Sequence, residues 1–170
     1  MMVILIMGAS HTGKTALAQK LLKRYNYPYL SIDHLKMGLI RSGNTDLTPM
    51  DDDELTDYLW PIIREIIKTA IENEQNIIIE GCYFPPSWQK DLSAQYLYNI
   101  RHQVLVMSES YIRANFDNIV KHASVIEKRL CDTINIQDLI KDNNAWLTAS
   151  GEYGLNVCLI DNEYNVDFEI

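Results

Sequence analysis

The chain has 170 residues, 47% of them hydrophobic and 22% charged, which suits one soluble globular domain and excludes a disordered one. Its formal charge of -8 repels phosphate backbones and anionic lipid, so general nucleic-acid or membrane binding is disfavoured. No apolar run approaches the roughly 20 residues of a membrane helix, and Met2 to Met7 is too short for a signal-peptide core and lacks a basic flank. Cys82, Cys131 and Cys158 are odd in number and lack metal-site spacing, which fits a reduced, cytoplasmic setting.

Val3-Ile4-Leu5-Ile6-Met7 is a continuous apolar run ending at Gly8, the pattern of a parallel strand buried on both faces. Between Lys14 and Arg24, Ala16, Leu17, Leu21 and Leu22 recur at helical spacing. Pro28 to Ile32 is a second short strand ending at Asp33. Asp51-Asp52-Asp53-Glu54 supplies the negative charge that a helix N-terminus favours. It leads into Leu55, Leu59, Ile62, Ile63, Ile66, Ile67, Ala70 and Ile71, the clearest amphipathic helix, with Pro61 as a kink or a start.

Asn76 to Gly81 forms a third strand, and Pro85-Pro86 forces a loop beyond it. Trp88 to Tyr98 reads as a short helix, Val104 to Met107 as the fourth strand, and Tyr111 to Leu130 as one or two basic helices. Ile134 to Leu147 is the last helix, broken by Ser150-Gly151, and Val157 to Ile160 the fifth strand. Strands alternating with helices imply a single α/β domain over residues 1–170, a parallel sheet with helices on both faces.

Gly8-Ala9-Ser10-His11-Thr12-Gly13-Lys14-Thr15 satisfies G-x-x-x-x-G-K-[ST] between an apolar strand and an amphipathic helix. The glycines let the backbone curl until successive N–H groups face inward at phosphate oxygens. The helix that follows adds its positive end. In this pattern Lys14 reaches the β- and γ-phosphates and the Thr15 hydroxyl ligates Mg²⁺. ATP with Mg²⁺ is therefore the expected ligand pair, and ATP is favoured over GTP because an Asn-Lys-x-Asp guanine motif is missing. His11, at a variable position, either contacts phosphate or points outward.

The phosphate loop, Ser31-Ile32-Asp33-His34-Leu35-Lys36, Ile79-Glu80-Gly81 and the basic segment Tyr111 to Arg129 together resemble small P-loop kinases. These are the adenylate kinase-like, shikimate and gluconate kinase-like, and zeta-toxin or phosphotransferase-like enzymes. The resemblance implies a three-layer P-loop NTPase fold, a five-stranded parallel sheet in order 2-3-1-4-5, and a small helical lid over residues 108–131. Asp33 then matches the carboxylate that faces the acceptor hydroxyl as base, and is equally suited to a helix N-cap. Glu80 stands where the class carries a magnesium-holding Asp. It holds metal-bound water, binds substrate, or replaces Asp33 as base.

In the lid candidate, Arg113 and Arg129 are favoured over Lys121, His122 and Lys128 for phosphoryl contact, because arginine grips phosphate bidentately. Arg41 is placed to bind an anionic acceptor. Tyr83-Phe84-Pro85-Pro86 and Trp88 form either an aromatic wall for that acceptor or ordinary packing. The resemblance implies a kinase moving the γ-phosphoryl of Mg-ATP to a small-molecule acceptor, monomeric or homodimeric. A nucleoside monophosphate kinase and a non-catalytic nucleotide-binding regulator are the alternatives. Glu80-Gly81-Cys82-Tyr83-Phe84-Pro85 replaces the Asp-Gly-Phe-Pro-Arg of adenylate kinases, and 170 residues leave little room for an AAA-type motor.

Overall fold

The computed structural model describes residues 1–123 and 134–169. Five strands, β1 (Val3–Gly8), β2 (Tyr29–Ser31), β3 (Ile77–Glu80), β4 (Ile100–Met107) and β5 (Val157–Ile160), form one parallel sheet in the order β2-β3-β1-β4-β5. β1 is central and every residue in it is buried. Its side chains alternate between two cores. Val3, Leu5 and Met7 pack with helix α3 (Asp52–Glu72), Phe84 and Trp88, while Ile4 and Ile6 pack with helix α1 (Lys14–Tyr25) and Ile112. Both faces are covered, which is why the strand reads as an unbroken apolar run. Among the described residues no helix is long and apolar enough to cross a membrane.

Gly8 takes a φ of 133° at the end of β1, and a Cβ there would meet the Leu105 carbonyl of its partner strand. Gly8→Ala is expected to cost at least about 1–3 kcal/mol in backbone strain alone. A thermal melt should fall by about 5 °C or more, and an unchanged midpoint would show that β1 and β4 adjust freely.

Several element boundaries differ from those predicted. β2 is shorter than expected, because Ile32 and Asp33 already belong to a helix, α2 (Ile32–Arg41), which begins before Asp33 and not after it. α3 continues through Pro61, which lies on the exposed face where an unpaired carbonyl reaches water. The predicted helix from Trp88 to Tyr98 is two pieces, a 3₁₀ turn (Trp88–Asp91) and a single helical turn, α4 (Ala94–Leu97), separated by an extended Leu92. Trp60 Nε1 pins the first piece by donating to Asp91 Oδ2 at 2.6 Å.

β4 starts four residues earlier than predicted, since the polar Arg101-His102-Gln103 obscured a strand whose Ile100 to Leu105 pair with β1. Its polar residues are used. His102 Nε2 accepts the Asn156 N–H at 3.0 Å, and Gln103 Oε1 accepts from Asn156 Nδ2. Burial lowers the His102 pKa below the ordinary histidine value. The folded protein therefore takes up a proton at His102 less readily than the unfolded chain, which protonates it below about pH 6.5. Stability should fall as pH drops through that value. His102→Asn should flatten the difference in melting temperature between pH 7.5 and 5.5, and an identical difference in both proteins would remove His102 as its source.

Helix α5 (Glu109–His122) is capped by Ser108, whose hydroxyl accepts from Tyr111 N and donates to Asp161 Oδ1. Glu109 is its first residue. Helix α6 (Ile136–Tyr153) is capped by Asn135, continues through Ser150-Gly151, and stops at Gly154, which adopts the left-handed conformation (φ 64°). Gly151 lies in the last turn of α6, where an exposed glycine costs about 1 kcal/mol at most. The buried Asn143 of α6 accepts from Met107 N and donates to Leu139 O, fixing the end of β4.

Candidate active site

The C-terminal ends of the strands and the loop after β1 enclose a cavity of about 390 Å³, where open parallel sheets bind ligands. Its lining includes His11, Gly13, Lys14, Thr15, Asp33 and Glu80. The predicted phosphate loop therefore opens into a real cavity. Gly8, His11 and Gly13 all take positive φ (133°, 65° and 89°), and α1 begins immediately at Lys14. That curled loop leading into a helix N-terminus is the geometry an anion requires.

The loop braces itself. Lys14, only 6% exposed, donates from Nζ to the Ala9 carbonyl at 2.7 Å, and the Thr12 hydroxyl donates to the same carbonyl at 2.9 Å. Thr15 Oγ1 donates to Glu80 Oε1 at 3.2 Å, and Ser10 Oγ lies 3.6 Å from Cys82 Sγ. Thr15 and Glu80 offer hard oxygen ligands side by side, a donor set that suits Mg²⁺. Glu80, 1% exposed, is held by its place at the end of β3 beside β1, since Ile6 and Glu80 are register partners.

Asp33 sits in the first turn of α2, two residues after Ser31, so it is not the N-cap residue. Its Oδ1 accepts from Lys36 Nζ at 2.7 Å, one helical turn on. Lys36 also donates to the Tyr83 hydroxyl at 2.7 Å, and that hydroxyl donates to Asp52 Oδ1 at 2.9 Å. Burial, then the carboxylates of Asp52 and Asp33, push the Tyr83 pKa up, which keeps it a donor. The chain Asp33–Lys36–Tyr83–Asp52 ties α2, the loop after β3 and the start of α3 into one wall beside the phosphate loop. Lys36 was not assigned a role from sequence. Its spacing of three from Asp33 was the available signal.

The opposite wall is apolar and aromatic. Met107 ends β4, Tyr111 and Ile119 come from α5, and Tyr164 follows β5. Asn115 leaves helical dihedrals (φ -121°, ψ 16°) and donates from Nδ2 to Tyr111 O, bending α5 between its two cavity-lining stretches. Tyr164 donates to the Thr12 carbonyl at 3.2 Å, and its hydroxyl occupies the space that a Cβ on Gly13 would need. Asp167 holds the segment down through Lys20 (3.2 Å) and Arg24 (2.8 Å) of α1. No sequence signal pointed to Tyr164, because its contact spans 152 residues.

Other expected residues fall elsewhere. Arg113 is exposed and paired with Glu109 at 2.7 Å, so it does not line the cavity; the i,i+4 geometry of α5 claims it first. Arg41 is exposed at the end of α2, outside the cavity lining. Phe84 and Trp88, each 1% exposed, belong to the core, and Tyr83 is committed to Lys36 and Asp52, so these residues form no acceptor wall. His122 does line the cavity, with Nδ1 2.7 Å from Asn118 O. Arg129 and Lys128, and the lid candidate beyond residue 123, lie outside the described residues.

A family model described as an AAA domain matches residues 3–123. The chain belongs to the AAA domain family, and its sheet order and phosphate loop are those of the small P-loop kinase fold. Among solved structures it is similar to a Chloroflexus aurantiacus protein named provisionally as a kinase, with TM-score 0.58 and 17% identity, over 98% of this chain and 91% of that one. An uncharacterized Eubacterium ventriosum protein matches with TM-score 0.50 and 13% identity, over 98% and 90% of the two chains. A Sinorhizobium meliloti gluconokinase gives TM-score 0.45 and 16% identity, over 90% and 96%. No curated protein matches the sequence.

Proposed function

We propose that this protein is an ATP-dependent phosphotransferase that moves the γ-phosphoryl of Mg-ATP to a hydroxyl of a small molecule, acting in the cytoplasm. The observation that carries the reading is the meeting of the phosphate loop with two carboxylates, Asp33 and Glu80, around one cavity. One carboxylate suffices to hold the metal of a bound nucleotide; the second, Asp33, supports a task beyond nucleotide binding.

Each group has a chemical task. Inward loop N–H groups and the start of α1 bind phosphate oxygens. Lys14, already buried at the loop, moves from the Ala9 carbonyl to phosphate and offsets its charge. Thr15 and Glu80 are the residues that would hold Mg²⁺. When bound, ATP would supply the transferable phosphoryl group and Mg²⁺ the positive charge that offsets it. Asp33, held by Lys36, accepts a hydrogen bond from the acceptor hydroxyl and takes its proton as the oxygen attacks the γ-phosphorus in line and the bond to the bridging oxygen breaks, releasing ADP. Met107, Tyr111, Ile119 and Tyr164 offer a flat apolar surface that suits a nucleobase.

The test is an ATP-consumption assay with Mg²⁺ and pooled hydroxylated metabolites. Consumption stimulated by at least one pool, and absent in Lys14→Ala, is the expected result. ATP binding without stimulation by any pool would leave a nucleotide-binding regulator and overturn the transferase reading.

A further inference from the structure

We infer that the segment after β5 is a working part of the nucleotide site, with Tyr164 as a positioning residue that fixes the phosphate loop at its Thr12–Gly13 peptide. The inference deepens the function proposed above. It rests on nucleotide binding at that loop and stands whether or not a phosphoryl group is transferred.

Tyr164 meets the loop at its last glycine. Its hydroxyl donates to the Thr12 carbonyl at 3.2 Å and fills the space beside Gly13. The Thr12–Gly13 peptide is trans and planar, so its C=O and N–H point in opposite directions. A donor that holds the carbonyl therefore also sets the direction of the Gly13 N–H. That N–H stands immediately before α1, among the groups a curled loop offers to phosphate. Gly13 sits at a φ of 89° without a side chain of its own to restrain it, so the peptide is fixed from outside. Burial, then the neighbouring Tyr111 and Cys158, push the Tyr164 pKa up to about 12, which keeps the hydroxyl a donor at neutral pH.

The segment that carries Tyr164 runs back along α1. Arg24 Nη2 donates to Asp167 Oδ2 at 2.8 Å, Lys20 Nζ donates to the Val166 carbonyl at 3.2 Å, and Tyr164 reaches Thr12. Falling residue numbers in the segment thus meet successive positions toward the start of the helix. The ion pairs of Asp167 are partly exposed and contribute little each. The stronger anchor is Val166, 8% exposed, in the same core as Leu17, Ala18 and Leu21 of α1. Tyr164 is thereby fastened to the helix that the loop opens, while it lines the cavity with Met107 and Tyr111. One side chain joins the wall suited to a base to the loop suited to phosphates.

The test measures Mg-ATP binding to the full chain by calorimetry, below the melting transition, in wild type, Tyr164→Phe and Tyr164→Leu. Mg-tripolyphosphate, which has the phosphates and no base, is the competing ligand. Tyr164→Phe keeps the ring and removes only the hydroxyl, and about a fivefold loss of affinity for both ligands is expected, the effect of one hydrogen bond. Tyr164→Leu should add about a tenfold loss for ATP and none for tripolyphosphate, because only a base uses the ring. Unchanged affinities in Tyr164→Phe, with or without a lower melting temperature, overturn the inference. A loss confined to ATP in that variant does so too, since Tyr164 would then contact the base alone. Tighter ATP binding in either variant would make the segment a plug, and tripolyphosphate that displaces no ATP from wild type would move the anchor away from the loop; each overturns it. Wild type that binds neither ligand overturns both this inference and the function proposed above. The expected losses without acceptor-stimulated ATP consumption overturn transfer alone.

Discussion

Lys14→Ala should abolish the thermal stabilisation that Mg-ATP confers, while leaving the melting temperature of the free protein nearly unchanged. The asymmetry follows from the loop's own bonding. In the free protein Lys14 Nζ donates to the Ala9 carbonyl, but the Thr12 hydroxyl donates there too, so removing Lys14 orphans no acceptor. With ATP at 100 times its Kd, binding to the folded state stabilises it by about 2.7 kcal/mol. For a chain of this size that is a rise of about 5–10 °C. The variant should show almost none of it, and its turnover should fall by about a thousandfold, the loss typical of removing one preorganised charge from a transition state. Retention of the full nucleotide shift would remove Lys14 from the phosphate site.

The second large effect is expected at Asp33. Asp33→Asn keeps the size of the side chain and a carbonyl that accepts from Lys36, but loses the negative charge and the basicity. If Asp33 takes the acceptor's proton, turnover should drop by about 10²–10⁴. ATP affinity should change little, because Asp33 lies beyond the end of β2 and not in the phosphate loop. The buried Lys36 ammonium loses its charged partner, so some stability is lost as well, by about 1–3 kcal/mol. The comparison therefore needs kcat and ATP Kd measured below the variant's melting transition. Equal losses in kcat and ATP affinity would assign Asp33 to binding and leave Glu80 as the base.

The two expectations were not equally easy to read from the chain. Lys14 belongs to eight consecutive residues whose backbone chemistry is local, and glycines at fixed spacing permit few other shapes. The buried parallel strand before the loop was equally plain in Val3 to Met7. Asp33 could be placed only by resemblance. That it sits inside the first turn of α2, and that Lys36 grips it, depended on recognising a helix that starts directly from an edge strand. The same limit explains Arg113, whose charge looked available until the helix placed Glu109 one turn away. It explains β4 too, whose polar His102 and Gln103 are satisfied by Asn156 from elsewhere in the chain.

The sequence by itself determined the alternation of strands with helices and the phosphate loop, because each rests on contacts within a few residues; the two carboxylates came from resemblance. Only the tertiary structure decided which side chains share the cavity. Sheet order set Glu80 beside β1. Tyr83 and Asp52 came from separate segments to hold Lys36, and Tyr164 crossed 152 residues to rest on the loop at Thr12. Such contacts depend on how the elements pack in space, and no local pattern of residues encodes that packing.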